Sequence, residues 1–95
     1  MRKVRPALVL SSDALGRLPI KLVAPITEWK QSFERHIWHV PIEPDETNGL
    51  TKKSAVDALQ LRSLDISRFQ QRIGRIPADL MEEVALSVGL VVEMP

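Results

Sequence analysis

The 95-residue chain has no cysteine and no tyrosine, and its aromatic side chains are two Trp and two Phe. The lack of cysteine excludes disulfide frameworks, thiol nucleophiles and cysteine-ligated zinc together, and it fits a reducing compartment, so a cytoplasmic location is expected. No apolar run approaches the ~18 residues that a membrane helix requires. Met1, Arg2 and Lys3 lead into Arg5 and Pro6 rather than into the apolar core of a signal peptide, so neither secretion nor a membrane span is expected. Four glycines and seven prolines are too few for a fibrous or low-complexity chain. Standard catalytic motifs are lacking as well: there is no P-loop, GxGxxG, GxSxG or HExxH.

What remains is a composition close to the globular average, 44% apolar and 26% charged, in a length that suits one domain spanning residues 1–95. Net charge is only +1, but its distribution is uneven. Basic residues outnumber acidic ones six to two in residues 1–30. Further on, Arg62, Arg68, Arg72 and Arg75 meet only Asp65 before the acids of residues 79–83 begin. A basic stripe is one reading of that run, and ordinary solvated charge is the other.

Residues 3–11 (KVRPALVLS) read as a strand that ends in a loop around Ser12, Asp13 and Gly16, and residues 18–26 (LPIKLVAPI) as a second strand paired antiparallel with it. Pro6 fits an edge position, where its missing amide hydrogen is tolerated. Residues 27–35 lose the alternation, and Trp29 and Phe33, four apart, predict a short helical turn. Strand character returns over residues 36–42 (HIWHVPI), followed by a turn rich in Pro, Asp, Asn and Gly over 43–49. Residues 54–61 are expected as a strand, Asp65 as the N-cap of a helical turn to Phe69, and residues 71–76 as a short strand. Leu80, Met81, Val84, Ala85 and Val88 recur at helical spacing and predict a terminal helix over 77–90. The fold class is therefore mostly β with a C-terminal helix, a small barrel or curled sheet closed by that helix.

Few residues carry chemistry. His36 and His39 lie three apart, which on a strand points them to opposite faces, and no third ligand accompanies them, so a metal site is not expected. Trp29 and Trp38 suit base stacking or the core, and at least one is expected in the core. Arg5 opens one strand and Thr27 ends the next, and in an antiparallel pair those positions meet at one rim of the sheet. A guanidinium fork and a hydroxyl together suit a phosphate, whose pentacovalent form carries extra negative charge.

The run at residues 5–11 (RPALVLS), the tripeptide Pro25, Ile26, Thr27, and the block at residues 49–65 (GLTKKSAVDALQLRSLD) occur in order, followed by Arg68 with Phe69 and Ile73 with Gly74. With that ordered set the sequence resembles the MazF/PemK toxin family of type II toxin-antitoxin systems. The resemblance implies an SH3-like barrel of the CcdB/MazF kind, a homodimer, and a sequence-specific, metal-independent endoribonuclease that cuts single-stranded RNA to 2′,3′-cyclic phosphate and 5′-hydroxyl ends. It implies Arg5 and Thr27 as catalytic residues, Gln60 and Arg62 as RNA-binding residues, a cognate antitoxin as partner, and no cofactor. Members begin with a further strand and a glycine-containing loop, whereas only residues 1–4 precede Arg5 here, so an N-terminally short domain with an open sheet edge is expected. Two alternatives follow: a noncatalytic module that binds antitoxin or RNA, and a gyrase-targeting toxin, since the same fold hosts that activity.

Overall fold

The computed structural model describes residues 4–10 and 18–92. Five strands are formed by Ala7–Val9 (β1), Ile20–Glu28 (β2), His39–Ile42 (β3), Ser54–Asp57 (β4) and Arg62–Asp65 (β5), and one helix by Ala78–Val91 (α1). The expected antiparallel pairing of the first two strands is present, with Ala7 opposite Pro25 and Val9 opposite Val23. The loop expected around Ser12, Asp13 and Gly16 lies outside the described residues. Along its other edge β2 pairs twice, its first half with β5 (Ile20 opposite Asp65) and its second half with β4 (Ile26 opposite Val56), and β3 adds to β4. All pairings are antiparallel, so the mostly β fold with a C-terminal helix is as the sequence implies.

Alternation explains which residues meet inside. Ile26, Val56 and Val40 stand opposite one another across β2, β4 and β3, and Ala24, two residues before Ile26 on the same face of β2, joins Val56, Val40 and Ile42 in a buried cluster that Val84 of α1 closes. Leu80 packs against the same cluster. The helix departs from expectation at two positions: Ala85 is exposed, and Ser87 is buried with its hydroxyl donating to the Ile37 carbonyl. That bond removes the cost of burying the hydroxyl and ties α1 to the chain entering β3.

Three differences from the sequence reading have physical causes. The strand expected over 54–61 stops at Asp57, whose carboxylate accepts from the Leu59 amide and caps a 3-10 turn, Ala58–Gln60. Residues 62–64, given no element in the sequence reading, join Asp65 to form β5 because β2 offers a free edge there. Residues 71–76 form no strand. Their polar groups go elsewhere: the Arg75 amide donates to the Thr47 carbonyl at 3.0 Å, in a backbone-to-backbone approach. A Cβ on Gly74 would collide with the Thr47 carbonyl and Asn48 backbone, and one on Gly49, at φ +71, would collide with the Ile73 carbonyl. The expected helical turn after Asp65 is present as Ile66–Arg68, capped by the Asp65 carboxylate on the Ser67 amide.

The turn over 43–49 is held from within. Asn48, buried, accepts from the amides of Asp45 (3.1 Å) and Leu50 (3.0 Å) through Oδ1 and donates through Nδ2 to the Glu43 carbonyl at 2.8 Å. Asp45 returns two bonds of 2.7 Å from the amides of Thr47 and Asn48.

His36 and His39 do not point to opposite faces. His36 ends a 3-10 turn, Gln31–Arg35, and the chain bends before β3 starts at His39, so the two imidazoles meet with their Nδ1 atoms 2.9 Å apart. His39 stacks on Phe33 with ring centroids 3.7 Å apart, and His36 on Trp38 at 4.2 Å. Trp29 and Trp38 are both half-buried in this cluster. His39 Nε2 lies 3.6 Å from Asp57 Oδ2. Burial lowers the His39 pKa below its ordinary value and outweighs the raising effect of Asp57, with His36 lowering it further.

Two outcomes are expected. Asn48→Ala strands two amide hydrogens and one carbonyl and is expected to cost about 2–3 kcal/mol in urea denaturation. Because His39 binds its proton more weakly folded than unfolded, its stability contribution is full above the ordinary imidazole value of about 6.5 and falls as pH drops through that value toward the lowered native one. Unfolding free energies measured from pH 8 down to pH 5 are expected to decline over that window, and less steeply in His39→Gln.

Candidate active-site groove

The β1–β2 ladder continues beyond β1 toward the N-terminus. The Ile26 amide donates to the Pro6 carbonyl at 3.0 Å and, at the other end, the Leu10 amide to the Leu22 carbonyl at 2.8 Å. Continuing the register of Ala7 opposite Pro25 places Arg5 opposite Thr27. Bonds at the 6/26 and 10/22 positions make 5/27 a pair without mutual backbone bonds, the kind whose facing side chains stand closest and share one face of the sheet. Pro6 falls where one of two ladder bonds needs an amide hydrogen, so that pair keeps one bond. On its other edge Thr27 pairs with Ala55, which is fully buried, so Thr27 is fixed from both sides.

Arg5 borders a groove of about 770 Å³ that it shares with Arg62 and Arg68. The 49–51 loop forms one wall, and Leu64, Gln71 and Ile73 contribute to the remainder. No carboxylate lines it, and among the described residues none of the three guanidinium groups lies within ion-pair distance of an acid. Each arginine has a structural reason for its place. Arg5 precedes β1, Arg62 opens β5 opposite Val23, and Arg68 ends the turn capped by Asp65. The Asp65 carboxyl is held below its ordinary pKa, first by the Ser67 amide and hydroxyl and less by Arg68. It therefore stays ionised as a cap. Three guanidiniums without a direct ion pair among the described residues, around one concave surface, attract a polyanion and offer planar forks to phosphate oxygens.

Of the four residues implied by the sequence, the groove gathers Arg5 and Arg62. Thr27 stands across the ladder from Arg5, half-buried and outside the groove lining. Gln60 also lies outside it, exposed on the turn after β4, where its Nε2 donates to Asp57 Oδ2 at 2.8 Å. Arg68 and Gln71 are groove residues that the sequence reading does not assign to the site, although it marks Arg68 as part of the arginine run. The spacing of Arg62, Arg68, Arg72 and Arg75 was the signal for the first of them, since it marks a run with little compensating acid. Among the described residues, no three His, Asp or Glu side chains are grouped to hold a metal ion. No described helix is long and apolar enough to cross a membrane.

The model of the PemK-like, MazF-like toxins of type II toxin-antitoxin systems matches residues 1–92. The chain is 37% identical over 91 residues to the endoribonuclease toxin ChpB of Escherichia coli, a match covering 94% of this chain and 75% of that protein. It superposes on the Mycobacterium tuberculosis toxin MazF-mt6 with a TM-score of 0.81 at 25% identity, over 96% of this chain and 88% of that one. On the crystal structure of a MazE-MazF complex from Deinococcus radiodurans the TM-score is 0.76 at 32% identity, over 95% of this chain and 83% of that one. With a family match along nearly its whole length and the antiparallel architecture of MazF structures, the chain belongs to the PemK-like, MazF-like toxin family of type II toxin-antitoxin systems.

Proposed function

We propose that this chain is an endoribonuclease toxin that cuts single-stranded RNA at a short sequence without a metal ion, using Arg5 and Thr27. Support comes from one arrangement above all: Arg5 lines a groove with three arginines and no acid, and the register of β1 on β2 sets Thr27 across the ladder from it. The ribose 2′-hydroxyl attacks the adjacent phosphorus, the P–O5′ bond breaks, and the products are a 2′,3′-cyclic phosphate and a 5′-hydroxyl. The proton of the 2′-hydroxyl passes to water, and water returns one to the departing 5′-oxygen. The Arg5 fork stabilises the phosphorane charge in place of a metal, and the Thr27 hydroxyl donates a further hydrogen bond to a phosphate oxygen. Arginine's pKa above 12 makes charge stabilisation, rather than proton transfer, its role. Arg62 holds a neighbouring phosphate, and Gln60, with its amide engaged by Asp57, offers Oε1 to the RNA.

The ChpB relative is an endoribonuclease toxin, and the Deinococcus structure holds a MazF with a MazE, which supports RNA as substrate and a cognate antitoxin as partner. A homodimer in the cytoplasm completes the proposal. An acidic antitoxin segment would compete for the same groove arginines.

Arg5→Lys is expected to lose nearly as much rate as Arg5→Ala, on the order of 10² to 10³, because lysine keeps the charge but not the planar fork. Thr27→Val is expected to be comparably damaging with the fold retained. Cleavage of single-stranded RNA is expected to persist in EDTA and to leave cyclic phosphates. Loss of activity in EDTA, 3′-hydroxyl ends, or wild-type rates in either Arg5 variant would contradict the mechanism. A folded chain that binds RNA or antitoxin without cutting would favour the noncatalytic reading.

A further inference from the structure

The arginine run of the sequence does not end at the Arg5 groove. A second concavity of about 600 Å³ adjoins the first and shares Leu64 and Gln71 with it. Arg72 and Arg75 line it, both exposed, and again no carboxylate contributes to the lining. Between them the two concavities use five arginines, Arg5, Arg62, Arg68, Arg72 and Arg75, and none of the five lies within ion-pair distance of an acid among the described residues. The second differs from the first in carrying an aromatic ring, Phe69, which is 39% exposed, with Val9 of β1 also open to solvent.

Phe69, Arg72 and Arg75 sit on irregular chain, yet that chain is anchored. Gly74 is pressed against the backbone of Thr47 and Asn48, Ile73 against Gly49, and the Arg75 amide is bonded to the Thr47 carbonyl. The Phe69 amide is bonded to the Ile66 carbonyl at 3.1 Å. Such anchoring lowers the ordering cost of binding. A positively charged track with an accessible aromatic face is the combination that holds single-stranded nucleic acid, phosphates on the cations and a base on the ring.

We infer that the concavity formed by Phe69, Gln71, Arg72 and Arg75 is a second RNA subsite, which holds a nucleotide flanking the one at Arg5. Phe69 stacks on its base, Arg72 and Arg75 take the phosphates, and the Gln71 amide, between the two concavities, reads a base edge. The inference rests on RNA as the ligand of the Arg5 groove. It adds that recognition extends along the chain's own basic run, away from the scissile phosphate.

The test uses single-stranded 2′-O-methyl RNA, which lacks the attacking hydroxyl and so reports binding without cleavage. Two probes of about four and about twelve nucleotides bracket the site sizes of small nucleic-acid-binding domains. Fluorescence anisotropy is expected to show tighter binding of the longer probe, and Phe69→Leu is expected to remove roughly tenfold of that gain. Arg72→Gln with Arg75→Gln is expected to reduce the slope of log affinity against log salt by about 1.4, close to 0.7 per phosphate contact. Circular dichroism melting confirms that each variant is folded. Equal affinity and equal salt slope for wild type and the double variant would overturn the subsite. So would loss, in that variant, of binding to an acidic peptide alone, which would make the surface one for a polypeptide. Failure of the cleavage chemistry is read separately, since it changes the activity of Arg5 and Thr27 variants and leaves the binding of a noncleavable probe to Phe69 and Arg72 unchanged.

Discussion

The pairing of β2 is the constraint on which the rest depends. Its nine residues hold β1 along one edge and β5 followed by β4 along the other, so three strands take their register from one. Side chains alternate between faces with a period of two, and a slip of one residue would carry every one of them to the opposite side. The slip is prevented by what lies inside. Ala24 is enclosed together with Val56 and Val40 of the neighbouring strands, and moving it outward would expose that cluster to water. The same lock that buries Ala24 sets Arg5 opposite Thr27, because both positions follow from one register. Core packing and the candidate chemistry are thus two consequences of a single alignment.

A second constraint shapes the groove. The 43–49 turn and the 73–75 segment meet backbone to backbone at Gly49 and Gly74, an approach that side chains at either glycine would block. Buried Asn48 makes the turn rigid by satisfying groups on both sides of it. The wall so formed carries the 49–51 loop to the Arg5 groove on one side and sets Arg72 and Arg75 at the adjoining concavity on the other. Irregular chain thereby positions charge as firmly as a strand does.

The sequence made much of this legible where local chemistry decides. The terminal helix, the antiparallel first pair, the Asp65 cap and the 43–49 turn follow from periodicity, capping residues and turn residues. Elsewhere tertiary context decided. Residues 62–65 are a strand because β2 has an edge for them, which no local pattern in RSLD announces. Residues 71–76 look like a strand but lie against a turn instead, and the two glycines that permit it reveal their purpose only in three dimensions. The two histidines illustrate the same limit. Counting along a strand separates them, while a bend ahead of β3 brings them into contact. At the site, the charge pattern pointed to a basic surface, and the family resemblance named Arg5 and Thr27. The placement of Gln60 outside the groove lining, bonded to Asp57, came from the early end of β4.

The central claim is that Arg5 and Thr27 act as one unit on one phosphate. A double-mutant cycle on single-turnover cleavage of one single-stranded RNA tests it, using Arg5→Ala, Thr27→Val and the two combined. Residues that serve the same transition state are strongly non-additive, so the double variant is expected to be little slower than the worse single one. Rate losses that simply multiply would show that the two side chains act independently, and would contradict the account.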